Sequence, residues 1–331
     1  MVENTLAAFS QCGQPEQVLE LNSAPVREPK TGEILVRMLA APINPADINF
    51  IQGVYGLKPG FPDATAGMEG CGVVEETRSP AFLPGDQVIL LHGIGTWAKY
   101  LTASADRFLK LKVPVDPVQA AMLKINPPTA YRLLTGYREL HRGDWLVQNA
   151  ANSGVGRCVM QLARLLGFKT INLVRRADRW AEELRTLGAD VVVGEDDPQA
   201  VQQVLAALGG TRPLLGLNAV GGESAIRLME VLGDGGTLVT YGAMSKQSLK
   251  VPNRFLIFKG LELKGLWITA WLQQQSRGDI EQLYDRLAGW MAKGALHQPI
   301  DATYPLAQVT AAVTRAQEAY RNGKVMLRLD Q

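Results

Sequence analysis

The chain has 331 residues, of which 47% are apolar, 20% charged and 7% aromatic; that is more than one small core needs and fits two domains of ordinary size. Its 34 basic and 32 acidic residues leave a formal charge of +2, so a strongly cationic surface for nucleic acid is not indicated. Three cysteines (Cys12, Cys71 and Cys158) and three histidines stand far apart, which excludes a disulfide framework and argues against a zinc site.

The N-terminus, MVENTLAAFS, lacks the charged and apolar regions of a signal peptide and is not an Arg/Ser-rich presequence. The expectation is a cytoplasmic protein, and a processed organellar form would look the same. No apolar run reaches the roughly 18 residues of a membrane span. From LAAF (6–9) onward the first part reads as β-rich, in short alternating runs between Gly/Pro turns. They include EILVRMLAA (33–41), with Ile34, Val36 and Met38 on one face, then EGCGVVEE (69–76) and DQVILL (86–91). One helix interrupts them: Asn44 suits the N-cap, Pro45 the first helical position, Asp47 the first turn and Gly53 the end. The segment VYGLKPGFPD (54–63) is a loop dense in Gly and Pro.

At about Asn126 the rhythm changes. Ten basic and 13 acidic residues precede it, whereas 24 and 19 follow from it, and that mild positive excess would suit a phosphate-bearing ligand. Strand WLVQN (145–149) leads to helix 156–167, closed by Gly167; strand TINLV (170–174) leads to helix RWAEELRTLG, closed by Gly188. DVVVG, a helix near 198–208, LLGLNAV, a helix near 223–232 and TLVTYG continue the alternation. Such alternation implies a parallel sheet covered on both faces. After LELKGLWI the pattern loosens into helices and a last strand, KVMLRL. The reading is an α/β protein, with one domain formed by 1–125 and 266–331 and a doubly wound domain at 126–265.

Glycine, at 33 residues, exceeds the average share of about 7%. Two glycines fall in QNAANSGVGR (148–157), between the first strand of the parallel domain and its first helix. There the chain must turn sharply and present backbone N–H groups to a pyrophosphate, which accounts for Gly154, Gly156 and the small residues Ala150, Ala151 and Ser153. A plain turn packing helix on strand is the alternative. The next strand runs into Arg175 and Arg176, 19 and 20 residues beyond Gly156, with no carboxylate. Arginine forks at that position suit a ribose 2′-phosphate and favour NADPH; a solvated basic pair is the other possibility. A zinc-dependent hydride-transfer enzyme would carry Cys in AAPINPAD and His in GMEGCG, where this chain has Asn44 and Met68, and Glu69 remains without partners.

The segments NPADINFIQGVYG, INPPTAYRLL, QNAANSGVGR, INLVRR, GTLVTYGAM and LIFKGLELKGLWITAW together resemble the medium-chain dehydrogenases/reductases. Within them the chain is similar to the mitochondrial-type 2-enoyl thioester (trans-2-enoyl-CoA) reductases, and it is also related to zinc-free quinone oxidoreductases. The resemblance covers nearly the whole length. It departs at the shortened EETRSPAFLPGD and at Pro128, which leaves acyl-chain preference open.

The resemblance implies a GroES-like catalytic domain, a Rossmann domain, a homodimer paired through LELKGLWI and no metal. It also implies that NADPH reduces the trans-2 double bond of an enoyl thioester carried by CoA or acyl carrier protein. Hydride goes to Cβ, the enolate oxygen is stabilised and Cα is protonated. The proton donor it implies is Tyr55, and a phenol keeps its proton at neutral pH. The implied cofactor contacts are Asn44, Asn126, Asn152, Ser153, Gly154, Val155, Gly156, Arg175 and Arg176. They continue with Tyr241, Gly242, Ala243, Met244, Leu266, Trp267, Ile268, Thr269 and Lys324. Trp271 is read as packing, Cys158 as core and His92 as surface. No nucleic-acid or membrane partner is expected. A zinc-independent NADPH:quinone oxidoreductase and a non-catalytic NADPH-binding protein stand as alternatives.

Overall fold

The alternation of Ile34, Val36 and Met38, all buried, produces the strand Glu33–Pro42 at the centre of a seven-stranded sheet in the computed structural model, which describes residues 2–330. The sheet runs Ile300–Pro305, Lys324–Arg328, Glu33–Pro42, Cys71–Thr77, Gln87–Leu90 and Phe108–Lys110, with Tyr100–Ser104 also pairing to Glu33–Pro42. A second sheet of three strands joins Glu20–Pro25, Glu3–Phe9 and Ala64–Thr65. Phe9, Phe50, Trp97 and Phe108 fill the core between these elements. The helix Pro45–Ile51 packs Ile48, Phe50 and Ile51 into it. These elements form one compact unit from the residues up to Ile125 and those from Arg277.

The second unit, Asn126–Ser276, is built on six parallel strands. Their order is Val191–Gly194, Lys169–Val174, Trp145–Gln148, Leu215–Asn218, Thr237–Thr240 and Glu262–Gly265. In chain order that is 3-2-1-4-5-6, with the direction of winding reversing beside Trp145–Gln148, where doubly wound sheets open a ligand crevice at the carboxyl ends. Near-continuous apolar strands fit burial on both faces; Val147, Ile171, Leu173, Leu217 and Leu238 are all buried. The helix Gly154–Leu166 starts two residues earlier than its apolar pattern suggests, because Ser153 caps it. The chain returns to the first unit at 276/277 rather than at 265/266. Glu262–Gly265 pairs with Thr237–Thr240, and the following helix Ile268–Gln273 stays with the second unit through Trp271, whose ring lies against Arg132. No helix among the described residues is long and apolar enough to cross a membrane.

Candidate functional site

In the second unit the turn after Trp145–Gln148 is held by backbone bonds from Ala151 N to Leu173 O (3.2 Å) and from Ser153 N to Ala150 O (2.8 Å). Ser153 Oγ accepts from Gly156 N at 3.1 Å. A Cβ on Gly156 would stand 2.6 Å from the Ala151 carbonyl oxygen and 2.8 Å from that of Ala150, so only glycine allows this approach. Asn152, Ser153, Gly154, Val155 and Gly156 therefore come together at the start of a 13-residue helix, whose free N–H groups and dipole favour an anion. Arg157, with a side chain only 1% exposed, braces the turn from below: Nε donates to Asn152 O at 3.0 Å and Nη1 pairs with Glu183. It was not among the expected residues, since an arginine on a helix ordinarily faces water.

The loops after the central strands are stitched by two buried asparagines that the sequence reading did not single out. Asn149 Nδ2 donates to Asn218 Oδ1 (2.9 Å) and Ser224 Oγ (2.7 Å), while its Oδ1 accepts from Ala219 N (2.7 Å). Asn218 Nδ2 donates in turn to Thr240 Oγ1 at 3.1 Å. Tyr241, Gly242, Ala243 and Met244 follow on this frame, with Met244 N bonded to Ala219 O (2.9 Å). The Tyr241 hydroxyl is sealed from solvent and neighbours Ser153, yet no partner stands at hydrogen-bonding geometry, and burial pushes its phenol pKa up. Leu266 N bonds Thr240 O at 3.0 Å. Trp267 is 42% exposed, Ile268 is buried and Thr269 is half-buried. Asn126 is buried at the start of the helix Asn126–Thr135.

Arg175 and Arg176 are both exposed at the end of Lys169–Val174. Arg176 takes a left-handed conformation (φ 57°) and lies 3.6 Å from Asp178. A groove of about 600 Å³ is lined by Arg176 and Arg185 but also by Asp178, Asp196 and Asp197. Arg175 does not line it.

In the first unit, Tyr55 sits half-buried in the loop after Pro45–Ile51 and packs against the core. The loop is anchored by Val54 N to Asn49 O (2.9 Å) and by Lys58 Nζ to Gly53 O (2.8 Å). Gly53 has φ +74°, and a Cβ there would meet Cys12 Sγ at 2.7 Å.

Asn44 caps that helix in an unexpected way. Its backbone N–H donates to Asp47 Oδ2 (2.8 Å), while its side chain is taken by Glu69 and Lys324. Asn44 Nδ2 donates to Glu69 Oε1 at 2.8 Å and Asn44 Oδ1 accepts from Lys324 Nζ. Glu69 Oε2 accepts from Ile125 N (2.9 Å), Asp47 Oδ1 from Met68 N (2.9 Å), and Lys124 Nζ reaches Met68 O. The expectation that Glu69 lacks partners is thus corrected: an amide, a backbone N–H and two ammonium groups surround it. All five side chains are at most 8% exposed. Burial raises the pKa of Glu69, with Lys324 and Asn44 opposing it, lifts Asp47 to about 7 and lowers Lys124 to about 8. Lys324 therefore lies inside the unit, at the head of Lys324–Arg328. No cluster of three or more His, Cys, Asp or Glu able to hold a metal occurs among the described residues.

Comparison with known proteins bears on both units. Residues 154–288 match the family "Zinc-binding dehydrogenase" and residues 30–114 the "Alcohol dehydrogenase GroES-like domain". The chain is 39% identical over 328 residues to the mitochondrial enoyl-[acyl-carrier-protein] reductase of Xenopus tropicalis, covering 96% of this chain and 93% of that protein. It is similar to the Etr1p/NADP/crotonyl-CoA complex (TM-score 0.91, 28% identity, 99% of this chain and 100% of that chain). It is also similar to a structure described as a "putative NADPH:quinone reductase" of Bacillus thuringiensis (TM-score 0.90, 29% identity, 99% of each chain).

Proposed function

The chain belongs to the enoyl-[acyl-carrier-protein] reductase family of the medium-chain dehydrogenases/reductases, and on that premise we propose that it reduces the trans-2 double bond of enoyl thioesters with NADPH. The similarity to enoyl reductases over 96% of the chain carries the reading. The second unit fits the cofactor on its own terms: a glycine cradle that a Cβ would fill, a capped helix N-terminus and a shielded Tyr241 hydroxyl without a partner.

Asn152 to Gly156 would hold the pyrophosphate, with Tyr241 to Met244 and Leu266 to Thr269 beside it. Asn126 would add a contact, and Arg175 and Arg176 would take the 2′-phosphate. NADPH, when bound, supplies the hydride that Cβ accepts. Tyr55 holds a proton on its phenolic oxygen and gives it to Cα, which closes the charge that develops at the thioester carbonyl. CoA and acyl carrier protein are both suitable carriers, and two copies would pair through the outer edge of Glu262–Gly265.

The test is NADPH oxidation with crotonyl-CoA, a simple enone and a quinone. Tyr55→Phe should lower turnover of crotonyl-CoA about 10²- to 10⁴-fold. The structural likeness to the quinone reductase favours a second reading, under which Tyr55→Phe leaves quinone turnover intact and wild-type protein does not consume crotonyl-CoA.

A further inference from the structure

Arg132 is a charge that this reading leaves unused. It lies on the helix Asn126–Thr135, with its guanidinium carbon 5.4 Å from the centre of the Tyr137 ring and 5.3 Å from that of Trp271. Both rings are fixed. The Tyr137 hydroxyl donates to Gly265 O at 2.9 Å, and Trp271 follows Trp267 by one helical turn, its N–H bonded to Trp267 O at 3.1 Å. Aromatic neighbours steady a cation but accept none of its in-plane hydrogen bonds. Arg132 Nε is shut off from solvent and has no acceptor, and no carboxylate pairs with the guanidinium among the described residues.

A guanidinium keeps its charge at any working pH, and a shielded N–H without an acceptor is costly. Its fork of donors matches an anion that presents two oxygens, as phosphate does. The location is also that of a ligand group: Tyr137 is tied to the carboxyl end of Glu262–Gly265, the side on which such sheets take ligands. Directly after that strand come Leu266–Thr269, which the proposed function places beside the bound cofactor.

We propose that Arg132, held against Tyr137 and Trp271, binds the phosphate of the pantetheine arm on the thioester substrate. This rests on the enoyl thioester reading and deepens it. Both CoA and acyl carrier protein carry that phosphate, so Arg132 recognises the carrier arm and is indifferent to the acyl chain.

The test compares crotonyl-phosphopantetheine with crotonyl-pantetheine, which differ only in that phosphate. Arg132→Met should raise KM for crotonyl-phosphopantetheine about tenfold and leave KM for crotonyl-pantetheine and the Kd for NADPH unchanged. Arg132→Lys keeps the charge and the stem beside the rings; it should give an intermediate KM and serves if the methionine variant does not fold. An equal rise for both thioesters, no rise for either, or weakened NADPH binding overturns the assignment. Wild-type protein that turns over neither thioester overturns the enoyl reading first, and the assignment with it.

Discussion

Replacing Lys324 by methionine removes one ammonium from the buried set in the first unit while keeping most of the stem volume. Glu69 is fully buried and Lys324, which bonds Asn44 and acts on Glu69 through its charge, is 8% exposed, so solvent cannot take over the lost interaction, and its removal should cost about 3 kcal/mol. For a domain of this size that is a fall in Tm of roughly 10 °C. The double variant with Glu69→Gln removes the stranded charge, and the amide oxygen can still accept from Ile125 N. Most of the loss should therefore return, with a coupling of about 2 kcal/mol or more between the two sites. The pH dependence follows from the same charge. Burial already raises the pKa of Glu69 and Lys324 opposes that rise, so Lys324→Met raises it further. The folded state then holds a proton that the unfolded chain has released, and stability falls as pH rises between the unfolded and the folded pKa. The single variant should accordingly be closer to wild type at pH 5 than at pH 8. Thermal unfolding of wild type, Lys324→Met, Glu69→Gln and the double variant at both pH values measures this. A loss below about 1 kcal/mol, or a double variant no more stable than the lysine variant, refutes the argument.

Asp47→Asn tests the same region from the other carboxyl. Because burial raises Asp47 from 3.8 to about 7, wild-type stability should decline from about pH 4 to pH 7 by at most about 4 kcal/mol, and the variant should show a flatter profile; an unchanged slope is the contrary result. Gly156→Ala forces a Cβ to within 2.6 Å of a backbone carbonyl oxygen and should weaken NADPH binding, read by fluorescence titration, more than about tenfold. The pair Arg175→Ala and Arg176→Ala should raise KM for NADPH about tenfold and leave NADH untouched; equal effects on both cofactors would remove the 2′-phosphate assignment.

The parallel unit was legible because its strands and helices announce themselves by local period, from Trp145–Gln148 through Thr237–Thr240. The turn at Gly156 was legible because the backbone approach needs glycine there. The charged cluster was not. Asp47, Glu69, Lys124 and Lys324 are scattered through the chain, and single charged residues default to water in any reading of pattern. Only the pairing of Lys324–Arg328 with Glu33–Pro42 carries the last of them back to Asn44. The return at 276/277 was misplaced for a related reason. The segment 266–276 has no strand rhythm of its own, and its allegiance is decided by Trp271 against Arg132, a contact between residues 139 apart in the chain. Arg157 and the asparagines Asn149 and Asn218 escaped notice because their partners are loop backbone, one another and side chains of distant segments, Glu183, Ser224 and Thr240.

Those two asparagines have a thermodynamic consequence. Asn149 and Asn218 spend their hydrogen bonds on the loops that follow Trp145–Gln148, Leu215–Asn218 and Thr237–Thr240, so the floor of the crevice acquires its shape during folding and owes nothing to an arriving ligand. A nucleotide that meets a prearranged floor loses its own freedom but does not have to order the protein's. Its affinity then reflects contacts made at the site with little deduction for assembling it.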